Sequence, residues 1–149
     1  MNADQTIDEV ASRAIDSGQA AEHLVAYNLL RWGWRVVFVS GGHPMDLLVY
    51  QPGQRCVRVQ VKSCAAPQKP DKQGSGYCFQ TCQRRAAGHQ AYESGEIDVF
   101  ALVALDVERF TFRRPTGKVK SYVPTHAFFS EDPRRQLDDW FGGTTQNKT

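Results

Sequence analysis

From Val57 to Ser63 the chain reads Val-Arg-Val-Gln-Val-Lys-Ser, apolar and polar residues alternating without a break. That period of two belongs to a β-strand, because a helix would scatter the valines around its axis. As a strand it sets Val57, Val59 and Val61 on one face and Arg58, Gln60 and Lys62 on the other. The valine face demands a core beneath it. The opposite face, polar at three successive positions, marks a site. Just upstream, a strand from Asp46 to Tyr50 begins with an acid, and Pro52-Gly53 suits a tight turn between the two.

That turn decides whether Asp46 and Gln60 meet. A two-residue loop at Pro52-Gly53 pairs 51 with 54 and sets Asp46 opposite Val59, on the wrong face. A shared face needs an even-numbered residue opposite Asp46. The sequence therefore predicts a three-residue turn, with Gly53 or a neighbour in an unusual conformation, or else a bulge in one strand. A simple, unbulged register would remove the site.

The remaining elements follow from periodicity and punctuation. Thr6 and Glu9 have capping-box spacing, so a helix starts at Thr6, and Gly18 interrupts it or marks a restart. Ala21, Leu24, Val25, Leu29 and Trp32 continue at helical spacing until Gly33 closes the segment. Arg35 to Ser40 reads as a buried strand by its β-branched content. The third strand runs from Arg55 to Ser63. Residues 65–76 read as a polar, mobile excursion, Tyr77 to Thr81 as a strand, and Gln83 to Ser94 as ambiguous and partly helical. Val99 to Leu105 is a strand covered on both faces, paired with Arg109 to Arg113, and Lys118 to Val123 is an edge strand ended by Pro124. Asp132-Pro133 caps a short helix that ends near Phe141-Gly142, and 143–149 is a frayed tail. The order indicates an α/β or α+β domain with a mixed central β-sheet flanked by helices.

At 149 residues and 41% hydrophobic content, one domain over 1–149 can bury a core without staples. No apolar run approaches the ~20 residues that span a bilayer. The start, Met1-Asn-Ala-Asp4, lacks the features of a secretory signal, so a cytoplasmic location with four thiols is expected. Without a C-x-x-C pair, bland cysteines are favoured over zinc. A net charge of +2 decides little beside the clusters Arg84-Arg85, Arg113-Arg114 and Arg134-Arg135, with Lys118 and Lys120 near the second.

Glu22 stands beside the apolar stripe of the first long helix, among Ala20, Ala21 and Ala26, whose small side chains permit close approach to a sheet. The ordered set of a Gly-x-x-x-Glu helix, a Val-rich strand, Asp-Leu-x-Val and Val-Gln-Val-Lys-Ser resembles the PD-(D/E)xK nuclease superfamily. Asp46 matches the Asp, Gln60 stands where Glu or Asp is usual, and Lys62 matches the Lys. The chain looks most like the branch of group I intron-encoded PD-(D/E)xK homing endonucleases, where Gln likewise replaces the acid. Glu96 to Val103 and Ser121 to Pro124 resemble that branch's later strands, so the likeness covers roughly residues 17–125.

The resemblance implies a restriction-endonuclease-like core and Mg2+- or Mn2+-dependent hydrolysis of phosphodiester bonds in double-stranded DNA. It implies Asp46 as main metal ligand, the Val61 carbonyl as a second, and Glu22 as the carboxylate that makes up for Gln60. The Gln60 amide offers an oxygen without charge, and Lys62 orients or helps deprotonate the attacking water. A bacterial or phage-type, nucleoid-associated setting goes with that likeness.

Other residues carry weaker signals. Arg113, Arg114, Lys118 and Lys120 read equally as an exposed basic hairpin on DNA backbone or as a solvated face. His23, His43, His89 and His126 lack metal spacing and read as surface or packing residues, though His43 lies close enough in sequence to touch a phosphate. Asp98 reads as a structural cap. A Holliday-junction resolvase or repair nuclease on the same core competes with homing, and Gln60 motivates a third reading, a catalytically inactive DNA-binding module. One small domain offers little surface for a long DNA site, so a homo-oligomer, dimer or tetramer, is expected.

Overall fold

The computed structural model describes residues 7–71 and 74–143, with side chains over 16–68 and 74–143. In chain order the elements are α1 (Ile7–Arg31), β1 (Arg35–Phe38), β2 (Leu47–Tyr50), β3 (Val57–Cys64), β4 (Gln68–Asp71), β5 (Gly74–Gln80), β6 (Cys82–Arg85) and β7 (Gly88–Ala91). They continue as β8 (Val99–Ala104), β9 (Arg109–Arg113), β10 (Lys120–Pro124), α2 (Ala127–Ser130) and α3 (Pro133–Phe141). The expected helix start at Thr6 and residues 144–149 of the tail lie outside the described residues.

Gly18 does not interrupt α1, which runs 25 residues through it. A Cβ at this position would meet nothing, so the glycine faces open space and costs only its intrinsic propensity, about 1 kcal/mol. The helix stops where expected. Gly33 takes φ 90°, and the Trp34 amide reaches back to the Leu29 carbonyl at 3.0 Å, which satisfies a terminal acceptor. Ala21, Val25 and Leu29 are fully buried against the sheet. Truncating Leu29 to Ala would cost about 2–5 kcal/mol by the cavity it leaves.

The main sheet has the order β1-β2-β3-β8-β9, antiparallel throughout except for the parallel pair β3–β8. It is the mixed central sheet expected. All six residues of β8 are buried, because a core lies on each side of it. On one side Val57, Val59 and Val61 pack with Val99, Ala101 and Val103 under α1. On the other, Phe100 and Leu102 pack with Tyr77, Phe79 and Val123 of a second sheet ordered β10-β5-β4. Strand β1 differs from expectation. It is the sheet's edge, with Val37 and Phe38 nearly half exposed. β-branched content favours a pleated strand but does not tell an edge from a centre.

Two segments without hydrophobic period also form strands. Residues 65–76 contain β4 and the start of β5, paired Gln68 with Gly76 and Asp71 with Gly74, where an excursion was expected. Gln83 to Ser94 contains the β6–β7 hairpin and no helix. Its residues are mostly exposed, so burial left no alternation in the sequence to read. At the C-terminal end Asp132 caps α3 by accepting from the Arg135 amide at 3.2 Å, with Pro133 at the first helical position.

Candidate active site

Strands β2 and β3 pair Leu47 with Val59, Leu48 with Arg58 and Val49 with Val57. The same register continued sets Asp46 against Gln60, and on the turn side it leaves Pro52, Gly53 and Gln54 as a three-residue loop. Gly53 takes φ 77°, a conformation that Gly adopts without strain, and the Gln54 amide closes onto the Gln51 carbonyl at 2.9 Å. The unusual turn that a shared face requires is therefore present.

Asp46 is fixed at the mouth of the sheet. Its amide donates to the Val59 carbonyl, and its Oδ2 accepts from the Val61 amide, both at 2.9 Å. β2 begins only at Leu47, so the carboxylate takes the Val61 amide where the neighbouring strand has ended. Gln60 is buried, and its Nε2 lies 3.4 Å from the Val61 carbonyl. Glu22 follows fully buried Ala21 on α1 and is half-buried at the shoulder of the packed stripe. Burial, and then repulsion from Asp46, hold the Glu22 carboxyl above its ordinary pKa against the pull of His23. Burial also raises Asp46, although the Val61 amide and Lys62 oppose it.

Lys62 shares the Gln60 face. Its Nζ donates to the Cys82 carbonyl at 3.1 Å and lies 5.6 Å from the centre of the Tyr92 ring. Burial depresses its pKa, with Asp46 and Cys82 working the other way. Around it opens a cleft of about 670 Å3 walled by Gln80, Cys82, Arg84, His89 and Tyr92. Arg84 and His89 face each other across β6–β7. The Tyr92 hydroxyl is pushed up to about 12 by burial, with Asp46, Cys82 and Glu96 adding to it. Neither Tyr92 nor His89 carried a sequence signal here, since both reach the cleft through a hairpin that lacks a pattern. The Arg84-Arg85 pair was visible, but not its place.

Other predicted residues sit elsewhere. Arg58 turns to Asp98, which accepts from its amide at 2.8 Å and from its guanidinium at 3.0 Å twice. Burial works to raise Asp98, yet the Arg58 bonds outweigh it and the pKa is lowered. Asp98 is thus a structural cap, as read. Arg113, read equally as a DNA contact or a solvated residue, is bonded within the fold: its guanidinium makes bonds of 2.7 and 2.8 Å to Glu131 and one of 2.9 Å to the Phe112 carbonyl. Arg114 lies over the Trp140 and Phe141 rings, 4.9 and 5.5 Å from their centres. Lys118 and Lys120 are exposed, and Lys120 pairs with the cleft residue Gln80. His23 packs on Phe38, and His43 is exposed.

Among the described residues no three His, Cys, Asp or Glu side chains are grouped to hold a metal. The Asp46 and Glu22 carboxylates come close enough to repel, and the Gln60 amide meets the Val61 carbonyl beside the Asp46 contact. These are all hard oxygen donors, the kind that Mg2+ takes, with water and phosphate completing its shell.

A family model described as PD-(D/E)XK endonuclease matches residues 13–136. The chain belongs to that family. Its match runs from α1 into α3 and includes every residue of the site above. Among solved structures this PD-(D/E)XK chain is similar to a bacterial homing endonuclease, I-Ssp6803I, at 20% identity with a TM-score of 0.54. The alignment covers 83% of this chain and 86% of that one, so the likeness is in the fold, a restriction-endonuclease-like core. A search of curated proteins gave no match.

Proposed function

We propose that this PD-(D/E)XK protein is a Mg2+- or Mn2+-dependent DNA endonuclease of the site-specific homing type, working as a homo-oligomer in the cytoplasm. The observation that supports it most is the β2–β3 register, which sets Asp46 against Gln60 with Lys62 on the same face, while Glu22 on α1 lies close enough to feel the Asp46 charge.

The cation would be held by Asp46, Glu22 and the Val61 carbonyl, with the Gln60 amide oxygen as a neutral neighbour. Both carboxyls are raised by burial, and Glu22 further by the Asp46 charge, so they are a pair whose charge a dication offsets. When bound, the metal supplies Lewis-acid polarisation of the scissile phosphate and a more acidic water. Asp46 is anchored through the Val61 amide, which holds its carboxylate at the edge of the sheet. Lys62 orients the attacking water through its Nζ and offsets charge that develops on the phosphate. The partly closed cleft strengthens that interaction by limiting water around the ammonium. Lys118 and Lys120, with Arg84 and His89, serve the DNA backbone, and Arg113 is left to hold the fold.

Purified protein incubated with Mg2+ and either supercoiled plasmid or a four-way junction tests this. Cleavage of plasmid, with the junction no better a substrate, is the expected result. Strong preference for the junction would favour a resolvase, and binding without cleavage of either would favour an inactive module.

A further inference from the structure

We propose that the β6–β7 hairpin and Tyr92, the residue after it, form a seat that positions the Lys62 ammonium. A lysine side chain is long and flexible, and its charge is an unreliable reacting group unless something fixes it. Two groups do so here, the Cys82 carbonyl at 3.1 Å and the Tyr92 ring at 5.6 Å. Cys82 opens β6 and pairs with Ala91, which closes β7 next to Tyr92. Both groups therefore come from the two ends of one hairpin. Tyr92 is held in turn, since its ring meets the Phe100 ring edge-on at 5.6 Å, and Phe100 is the register partner of Gln60. The seat thus rests on β8, the strand that pairs with the site strand β3.

The chemistry of the seat matters as much as its place. A carbonyl and an aromatic face attract an ammonium without neutralising it, whereas a carboxylate in contact would pair with the charge. Lys62 is held by these two groups without being paired to a carboxylate. Its effect on cleavage rests on Lys62 acting in the reaction as proposed above, but the contact itself does not.

The test has two readouts. In protein labelled with 13C,15N-lysine, the Lys62 Cε–Hε resonance, assigned with Lys62→Arg, is displaced upfield by the Tyr92 ring current in wild type and in Tyr92→Phe. In Tyr92→Leu it returns to the range of the other lysines, whose unchanged resonances report an intact fold. Tyr92→Met replaces that variant if it does not fold. In single-turnover cleavage of plasmid with Mg2+, Tyr92→Leu slows the reaction about tenfold at unchanged DNA affinity. Tyr92→Phe restores most of that loss, because the ring face and not the hydroxyl makes the contact. No displacement in wild type, or one that survives in Tyr92→Leu, overturns the seat. So does equal cleavage by wild type and Tyr92→Leu. If wild type does not cleave, or Lys62→Ala cleaves as fast, the nuclease role of Lys62 fails, and the ring-current comparison still decides the contact.

Discussion

The Asp46 carboxylate accepts the Val61 amide at 2.9 Å, tying the start of β2 to the middle of β3 at the point where the ladder between them has ended. The bond gives Asp46 a structural duty beside its proposed chemical one, and two substitutions separate them. Asp46→Ala leaves the Val61 amide without its partner and costs about 1–3 kcal/mol in urea unfolding. Asp46→Asn keeps an acceptor oxygen there, so it spares stability while removing cleavage. Equal stability loss in both variants would show that charge, not the acceptor, holds the strands.

Stability should depend on pH in two opposed ways. Asp46 and Glu22 have raised pKa values, so the folded protein binds their protons more tightly than the unfolded chain does. Their contribution is present below the ordinary carboxyl range near pH 4 and lost as pH rises through the raised values. Asp98 and Glu131 are lowered, the first by Arg58 and the second by Arg113 and Thr111, both against burial. Theirs is present above the ordinary range and lost as pH falls through the lowered values. Urea midpoints across pH should therefore show Asp46→Asn flattening the fall above about pH 4. Asp98→Asn should instead remove part of the acid-side loss. The reverse assignment would contradict the geometry of both sites.

Arg113 and the two exposed lysines should separate by assay. Arg113→Gln breaks the paired bonds to Glu131 and lowers stability by about 2 kcal/mol, with little change in the salt dependence of DNA binding. Lys118→Gln with Lys120→Gln leaves stability alone and reduces the slope of log affinity against log salt by up to about 2. An altered slope for Arg113→Gln would return it to the DNA surface.

Gln60 tests the missing acid. Gln60→Glu brings a third carboxylate beside Asp46 and Glu22, so Mg2+ should bind more tightly and the folded protein without metal should lose stability at neutral pH. Gln60→Ala removes the amide and should reduce cleavage strongly. A magnesium titration of single-turnover rate checks both, and tighter binding need not bring faster cleavage. Unchanged rate and metal dependence in both variants would take Gln60 out of the site.

What was legible in the sequence followed burial. The alternation of Val57 to Lys62 and the all-apolar run at β8 gave two central strands, because each face of those strands has one environment. The demand for an odd turn at Gly53 came from parity alone and needed no packing. The β6–β7 hairpin was hidden for the opposite reason: both its strands are largely wet, and what it brings to Lys62 is the Cys82 backbone carbonyl, with Tyr92 just beyond it. The Arg113 ion pair was not visible, because a basic pair in sequence does not show that Glu131, eighteen residues on, bonds to one member. Val37 and Phe38 looked buried because edge and centre strands share the same residue preferences.

Cleavage of supercoiled plasmid by wild type and Lys62→Ala, each in Mg2+ and in EDTA, bears most directly on the proposed chemistry. Wild type should nick and linearise the plasmid in Mg2+ and do neither in EDTA. Lys62→Ala should be inactive in both while binding the same DNA within about twofold, since one charge adds little beside several backbone contacts. Undiminished cleavage in EDTA, or cleavage by Lys62→Ala at the wild-type rate, would contradict a metal-dependent reaction at this site.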